Sequence, residues 1–365
     1  MTRFDPISRR SFLTRTAAAS ALLAAPTILR ADDAKEITIC TWETYHDDPW
    51  VAEWTDKTGI KVNVVRIGSA DEMYSGVRSG SIPADLLYLD TGSFQRYVEA
   101  DLIAPIDASK VANVANIASG LDYAKYTSVD GTVYGLPYNW GVIPMMFDTR
   151  VVTSGTDSWQ ALLDPAYAGK VILFDDVIAT FPVIGALAGV ADPYNLSDAD
   201  FDACREALVK LRGQVRTIAK GYSDANAIFA AGDAVIGHCQ NISQVFELQG
   251  QNLPFQYSFP KEGVPAYIDC SVMTKAGAAK DAAYQFVNDN MSAEWQARFI
   301  KTSHNNGILG ADAAKAAGLD EALLKQTNII DQQDPSFWAK MSMLAPPNNL
   351  DKRLALWNDF KAGTL

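Results

Sequence analysis

The sequence predicts an α/β fold made of two lobes. Three observations support this prediction: strand-like and helix-like segments alternate from residue 36 to residue 89, the alternation recurs after residue 170, and no flexible linker separates the two regions. The chain has 365 residues, of which 48% are hydrophobic, so it is long enough and apolar enough to form two compact units.

The first region has the order β-α-β-α-β. Pro49 in a first turn and Gly59 after the last apolar position delimit one helix. Ser69 and Glu72 have the spacing of a capping box and begin a second helix. The segments are predicted strands at 36–41, 61–67 and 85–89, with helices from 48 to 59 and from 69 to about 79. This order is typical of a parallel sheet covered by helices.

The second region repeats the pattern. Its segments are a strand at 170–174, helices at 178–189 and 197–211, and a strand at 234–238 that leads into another strand and helix. Between the regions, residues 134–142 form an aromatic, strand-like passage and not a linker rich in Pro, Gly or Ser. We therefore predict a hinge of several short crossing segments, about which the lobes close as rigid bodies.

Residues 1–31 are predicted to be a twin-arginine signal peptide. Arg9 and Arg10 precede Ser11-Phe12-Leu13, and an apolar, alanine-rich run follows from 17 to 29. Cleavage is expected between residues 25 and 34, and the mature chain is expected in the periplasm.

The charge of the chain argues against nucleic acid as a partner. The formal net charge is −12, and the predicted signal peptide carries five arginines and one aspartate, so its removal leaves −16. No second apolar stretch is long enough to cross a bilayer.

Cysteine and histidine positions give no indication of catalysis, a metal or another cofactor. The four cysteines are far apart and are interpreted mostly as core thiols, although an oxidising compartment permits one disulfide whose pair the sequence does not define. The three histidines have no metal-ligand spacing, and no H-E-x-x-H or G-x-S-x-G motif is present.

Several short segments, in shared order and spacing, carry a resemblance to a known family. They are Trp42-Glu43-Thr44-Tyr45, Thr58-Gly59-Ile60-Lys61-Val62, Pro137-Tyr138-Asn139-Trp140-Gly141, Asp164-Pro165-Ala166-Tyr167-Ala168-Gly169-Lys170 and Tyr267-Ile268-Asp269-Cys270. With them the chain resembles the periplasmic spermidine/putrescine-binding proteins. The resemblance implies a two-lobe periplasmic-binding-protein fold with a hinge and interrupted lobes: lobe 1 at 35–140 plus 266–315, and lobe 2 at 141–265 plus 316–365. It also implies an ABC transporter permease as partner, and we expect a monomer.

The resemblance further implies a ligand site of aromatic and acidic side chains. Aromatic rings attract an alkylammonium by cation–π interaction, and carboxylates hold the ammonium by charge-assisted hydrogen bonds. Matching positions are Trp42, Tyr45, Asp176, Tyr267 and Asp269. Asp176 precedes a helix, so capping that helix is an equal alternative.

Further candidate ligand-binding residues are Glu43, Thr91, Ser93, Trp140 and Gln240. Thr91 and Ser93 can donate hydrogen bonds from the first-lobe loop, whereas Trp140 could equally pack in the hinge. Gln240 stands where the family has a tryptophan.

A second departure concerns Ala179, which replaces an acidic residue of the family. From the resemblance we expect a small amine-bearing, polyamine-like solute, although these two departures remove an aromatic and an acidic group that the family uses. The alternatives are an amino acid or betaine-like zwitterion, an aminophosphonate, thiamine, or ferric iron held by tyrosines and His46. An exported enzyme using Asp269 and Cys270 is the remaining alternative.

Overall fold

The computed structural model describes residues 35–365, so the predicted signal peptide lies outside the described residues. The strands are β1 Glu36–Trp42, β2 Lys61–Ile67, β3 Leu86–Asp90, β4 Ser128–Val129, β5 Thr132–Val133, β6 Gly135–Val142, β7 Met145–Asp148, β8 Val171–Phe174, β9 Val215–Ala219, β10 Ile236–His238, β11 Phe255–Ser258, β12 Val264–Met273 and β13 Met341–Met343. The helices are α1 Asp48–Thr58, α2 Ala70–Ser79, α3 Phe94–Glu99, α4 Tyr123–Thr127, α5 Val177–Ala188, α6 Asp198–Leu211, α7 Tyr222–Ala230, α8 Ser243–Gly250, α9 Asp281–Asn290, α10 Ala293–Ser303, α11 Ala311–Ala316, α12 Glu321–Gln326, α13 Pro335–Trp338 and α14 Leu350–Ala362.

The predicted α/β class is confirmed, and the local signals act as expected. Gly59 ends α1 in the left-handed conformation, with φ of 72°. The Ser69 side chain accepts a hydrogen bond from the Glu72 backbone N–H. The reciprocal bond differs from that of a standard capping box, because the Glu72 carboxylate accepts from the Gly68 N–H and not from Ser69.

Two sheets form the framework of the described chain. In the first, the order is β13-β12-β3-β1-β2. Strand β6 also pairs with β12, on the edge opposite β3. Strands β1, β2 and β3 are parallel, whereas β12 is antiparallel to both β3 and β6. The second sheet has the order β11-β7-β10-β8-β9, in which β8, β9 and β10 are parallel. Each sheet is packed against apolar side chains of its own helices.

The chain passes between the sheets at three places. These are the connections from β6 to β7, from β11 to β12, and from β13 to α14, whose Trp357 and Phe360 pack in the core of the second sheet. The aromatic passage expected to form the hinge is therefore strand β6 itself, and the chain crosses directly after it at residues 143–144.

One part of the predicted lobe division differs from the sheet pairing. Residues 316–365 were expected in lobe 2, yet β13 pairs in parallel with β12 of the first sheet. Leu324 of α12 and Ile300 of α10 belong to one apolar cluster, whose other members include Leu309, Leu319 and Ile329. Only α14 packs against the second sheet's core, because its apolar face complements α5 and α6. The other boundaries stay a prediction.

All four cysteines are buried and free, so no pair forms a disulfide. Within residues 35–365, no helix is both long and apolar enough to cross a membrane.

Candidate functional site

A cavity of about 80 Å³ lies between the two sheets and is lined by residues from both. That volume accommodates several water molecules and therefore a small solute. Its lining is Trp42, Glu43, Thr44, Tyr45, Ile67, Gly68, Asp90, Ile143, Asp176, Ile178, Ala179, Tyr222, Gln240, Asn241, Tyr267, Asp269 and Leu344. Seven of the ten predicted site residues are among these: Trp42, Glu43, Tyr45, Asp176, Gln240, Tyr267 and Asp269. Whether they contact the ligand stays a prediction.

Asp269 lies on β12 at a β-bulge. It is paired with Asp90 of β3 on one side and with Asn139 of β6 on the other, and the register with β6 shifts between Asp269 and Cys270. A bulge re-aims the side chains beside it. The Tyr45 hydroxyl donates to Asp269 Oδ2 at 2.5 Å.

Asp90 ends β3 and is held by its own loop. Its Oδ1 accepts from the Gly92 N–H at 2.8 Å, and its Oδ2 accepts from the Ser93 hydroxyl at 2.6 Å. Asp90 was not among the predicted site residues. Its neighbours Thr91 and Ser93 were, because hydroxyl groups on a loop suggested donors to the ligand.

Asp176 is both a helix cap and a cavity residue. Its Oδ1 accepts from the Ala179 N–H at 3.1 Å and so caps α5. Its Oδ2 accepts from the Ala70 N–H of the first sheet's α2, also at 3.1 Å. Asp176 therefore caps α5 and also lines the cavity, so the capping interpretation does not exclude a role at the site.

The three carboxyl groups of Asp90, Asp176 and Asp269 are at most 7% exposed, and none forms an ion pair within residues 35–365. Burial, followed by the charges of Asp71 and Asp90, raises the pKa of Asp176 to about 7. Burial also raises the pKa of Asp90, and it raises that of Asp269 well above its usual range. A cation bound among them would offset their mutual repulsion and return these pKa values toward normal.

Most of the remaining lining is apolar or aromatic, and its other polar side chains are those of Glu43, Thr44, Gln240 and Asn241. The described residues around the cavity include no lysine, arginine or histidine. The Tyr267 ring lies flat over β6 because Gly141, opposite it in the register, has no side chain; a Cβ there would lie 2.5 Å from Tyr267 Cζ. The Trp42 Nε1 is buried and has no hydrogen-bond partner in the described part of the chain, so it is a free donor beside the cavity.

Glu43 joins the two lobes at the edge of the cavity. Its Oε2 accepts from the Ser223 N–H at 3.0 Å and from the Ser223 hydroxyl at 2.8 Å, at the start of α7. Gly221, the residue before α7, offers no side chain to cap it. Glu43 therefore caps a helix of the opposite lobe.

Gly68 makes a second close contact between the lobes. A Cβ on Gly68 would lie 2.5 Å from the Lys220 carbonyl oxygen, so only glycine permits this approach. The Gln240 side chain reaches the same point, with its Nε2 3.4 Å from the Gly68 carbonyl oxygen. The contacts made by Glu43, Gly68 and Gln240 define a closed arrangement of the lobes.

Three predicted site residues do not line the cavity. Thr91 and Ser93 are fully buried, and Ser93 supports Asp90 from behind. Trp140 is also fully buried and packs against Trp338, with ring centroids 4.9 Å apart. Thr91 and Ser93 pack inside the protein after the end of β3, and the packing of Trp140 on β6 agrees with its alternative role in hinge packing.

The sequence reasoning missed several lining residues for identifiable reasons. Ile143 and Leu344 lie on segments that cross between the sheets, and Ile178 follows the Asp176 cap. As apolar residues they gave no sequence signal distinct from the core. Asn241 could have been predicted only because it follows Gln240, and Tyr222 only because it follows strand β9.

The described residues contain no cluster of His, Cys, Asp and Glu suited to a metal ion. His46 is fully buried and stacks on Tyr138 at a centroid distance of 4.8 Å. Burial lowers the pKa of His46 to about 3, and its Nδ1 is 3.1 Å from the Thr41 hydroxyl. It is therefore part of the aromatic core and does not line the cavity.

Two lobes around a small, acidic and partly aromatic cavity define a solute-binding protein. Residues 49–320 match the model of the bacterial extracellular solute-binding proteins, and the chain belongs to that family. The spermidine/putrescine-binding periplasmic protein of Escherichia coli is 26% identical over 278 residues, which cover 74% of this chain and 77% of that protein. The spermidine/putrescine-binding periplasmic protein 1 of Haemophilus influenzae is 26% identical over 255 residues, 69% of each chain.

Solved structures show the same fold. The spermidine/putrescine ABC transporter substrate-binding protein PotD from Streptococcus pneumoniae has a TM-score of 0.71 at 19% identity, covering 90% of this chain and 99% of that chain. MotA from A. tumefaciens B6, in complex with glucopine, has a TM-score of 0.69 at 15% identity, covering 90% and 100%. Proteins of this fold therefore bind more than one kind of solute.

Proposed function

We propose that this chain is the periplasmic component of an ABC importer and binds a small, amine-bearing, polyamine-like cation between its lobes. The observation that carries the proposal is the set of three buried carboxyl groups, of Asp90, Asp176 and Asp269, around a cavity whose described lining has no basic side chain. Buried carboxylates require a positive partner, and an alkylammonium with a short apolar chain would supply it. The polyamine-binding relatives support the same class of ligand.

The rest of the function follows from this proposal. The twin-arginine segment would direct the chain to the periplasm, and the closed lobes would deliver the solute to a membrane permease as a monomer. Catalysis has no part in it: burial raises the pKa of the Cys270 thiol well above its usual range, and a buried thiol of this kind is a poor nucleophile.

The test is a thermal-shift screen of residues 32–365, followed by calorimetry. Putrescine and spermidine at about 100 times Kd should raise the melting temperature by roughly 4 °C. Asp269→Asn should abolish the shift, whereas Asp175→Asn, next to the cavity residue Asp176, should retain it. Asp175 is a matched control because its carboxylate pairs with Lys361 and does not line the cavity. The absence of any shift with either amine would refute the proposal.

A zwitterion is the second candidate, favoured by the free donor of Trp42. A solute carboxylate could accept a hydrogen bond from Trp42 Nε1 and from the Asn241 amide while its ammonium lies among the aspartates. γ-Aminobutyrate serves as the probe in the same screen. A larger shift with γ-aminobutyrate than with putrescine would select this candidate, and Trp42→Phe should then reduce the shift.

A further inference from the structure

A chain of buried hydrogen bonds runs behind Asp269. The Gly307 N–H donates to Asn139 Oδ1 at 3.0 Å, Asn139 Nδ2 donates to the Tyr45 hydroxyl oxygen at 2.6 Å, and the Tyr45 hydroxyl donates to Asp269 Oδ2 at 2.5 Å. Asn139 is fully buried, and Tyr45 and Asp269 are at most 4% exposed. Loss of a partner in this buried chain should therefore be costly.

The orientation of the Asn139 amide is fixed by two of its neighbours. Its Oδ1 faces the Gly307 N–H, which can only donate, and its Nδ2 faces Asn305 Oδ1 at 3.4 Å. Turning the amide over would set donor against donor and acceptor against acceptor. The group that faces Tyr45 is consequently an N–H donor.

Tyr45 has a single hydroxyl proton. Because Asn139 donates to its oxygen, that proton is directed to Asp269. A hydrogen bond donated to a carboxylate stabilises the ionised form. We propose that Asn139 is a positioning residue that directs the Tyr45 hydroxyl onto Asp269 and so favours the ionised form of this carboxyl, which a cationic ligand needs. The ligand part of this proposal rests on the proposed cationic solute.

Several other groups face Asp269 and must be considered with it. Asp90 and Asp176 repel its negative charge and raise its pKa, as does burial, whereas the Tyr45 hydrogen bond lowers it. Tyr267 lies beside Tyr45 and Asp269, and burial raises its pKa well above the usual range, so it stays neutral near pH 7. Cys270, the next residue on β12, is likewise neutral. The Tyr45 hydroxyl is therefore the group around Asp269 that favours its charged form.

Two substitutions interrupt the chain in different ways. Tyr45→Phe removes the donor, and Asn139→Asp in its ionised form keeps the acceptor for Gly307 but has no donor for Tyr45, so the hydroxyl proton can turn away from Asp269. Both should move the titration of Asp269 upward by about one to two pH units. Putrescine should then bind roughly 10- to 100-fold more weakly at pH 7, and its affinity should recover as the pH is raised.

The matched control is Asn290→Asp. Asn290 Nδ2 donates to the Tyr88 hydroxyl at 2.7 Å, which is another buried Asn–Tyr pair, but it has no hydrogen bond to Tyr45 or Asp269. This variant also introduces a buried carboxyl. It therefore separates the loss of the directed proton from the general effect of added charge.

The measurement is carbon-13 NMR of the aspartate carboxyl carbons in the ligand-free protein, with the Asp269 signal assigned by Asp269→Asn. Circular dichroism melting checks that each variant is folded, and Tyr45→Phe remains informative if Asn139→Asp does not fold. An upward shift in both variants, with Asn290→Asp unchanged, is expected. An unchanged Asp269 titration in folded Asn139→Asp, or an Asp269 already neutral at pH 8 in the unmodified protein, would overturn the role of Asn139.

Calorimetry with putrescine is a separate experiment. If the titration moves but the unmodified protein binds no amine at any pH, the role of Asn139 stands and the proposed function fails.

Discussion

Asp176→Asn should stabilise the ligand-free protein at pH 8. Burial, followed by the charges of Asp71 and Asp90, raises the pKa of Asp176 from an ordinary 3.8 to about 7 in the folded state. At 1.36 kcal/mol per pKa unit, holding this carboxylate ionised costs up to about 4 kcal/mol of folding free energy. Asparagine resembles the protonated aspartic acid: it keeps one oxygen, which can accept from the Ala179 N–H and cap α5, while its NH2 group replaces the oxygen that accepts from the Ala70 N–H.

The sign of the pH dependence identifies the cause. Between about pH 4 and pH 7 the folded protein holds a proton on Asp176 that the unfolded chain has released, so this contribution to stability falls as the pH rises through that window. The gain from Asp176→Asn should therefore approach about 4 kcal/mol at pH 8 and nearly vanish at pH 4.

Urea denaturation at both pH values measures the effect. Asp175→Asn is the control, because that neighbouring carboxylate is one-third exposed and pairs with Lys361, so its loss should give no gain. Equal stability of Asp176→Asn and the unmodified protein at pH 8, or the same gain at pH 4, would refute the reasoning. Putrescine binding should weaken in the stabilised variant, since a carboxylate of the proposed site is lost.

Three further substitutions test other parts of the site. Glu43→Ala removes both hydrogen bonds to Ser223, so ligand affinity should fall roughly 10-fold and small-angle scattering should show less compaction; unchanged compaction would exclude Glu43 from closure. Gly141→Ala places a Cβ 2.5 Å from Tyr267 Cζ and should displace the ring and weaken binding about 10-fold by calorimetry; an unaltered Kd would contradict this. Trp140→Phe should lower the free energy of unfolding by about 1–3 kcal/mol without changing Kd, and a lost affinity would return Trp140 to the ligand contacts.

The framework of the fold follows from local signals that are strong in this sequence. Pro49, Gly59 and the Ser69–Glu72 pair delimit the first helices, and the structure has those boundaries within a residue or two. Strand β9 and helix α7 were not identified, because β9 is only partly buried and α7 begins at Gly221 without a side-chain cap. That missing cap comes from Glu43 in another part of the chain, and long-range contacts of this kind leave no local pattern.

The site was predictable where a residue is unusual for its surroundings. Asp269 and Asp176 were both predicted from the family resemblance, and Asp269 had further support because a carboxylate inside an apolar strand needs a partner. Asn139 was quoted only as part of a motif, since its role depends on the β6–β12 register and on Gly307. Trp140 shows the reverse: its residue type suggests a ligand contact, while its position in the strand buries it.

The places where the chain crosses between the sheets have a consequence for how the molecule could be used. Ile143 and Leu344 lie on two of the three crossings and also line the cavity. A solute in the cavity therefore touches the joint itself, and its size should influence the resting angle between the lobes. Solutes of different length would then give graded and distinguishable signals from a pair of dyes, one on each lobe, and widening Ile143 or Leu344 would retune such a sensor without altering the aspartates.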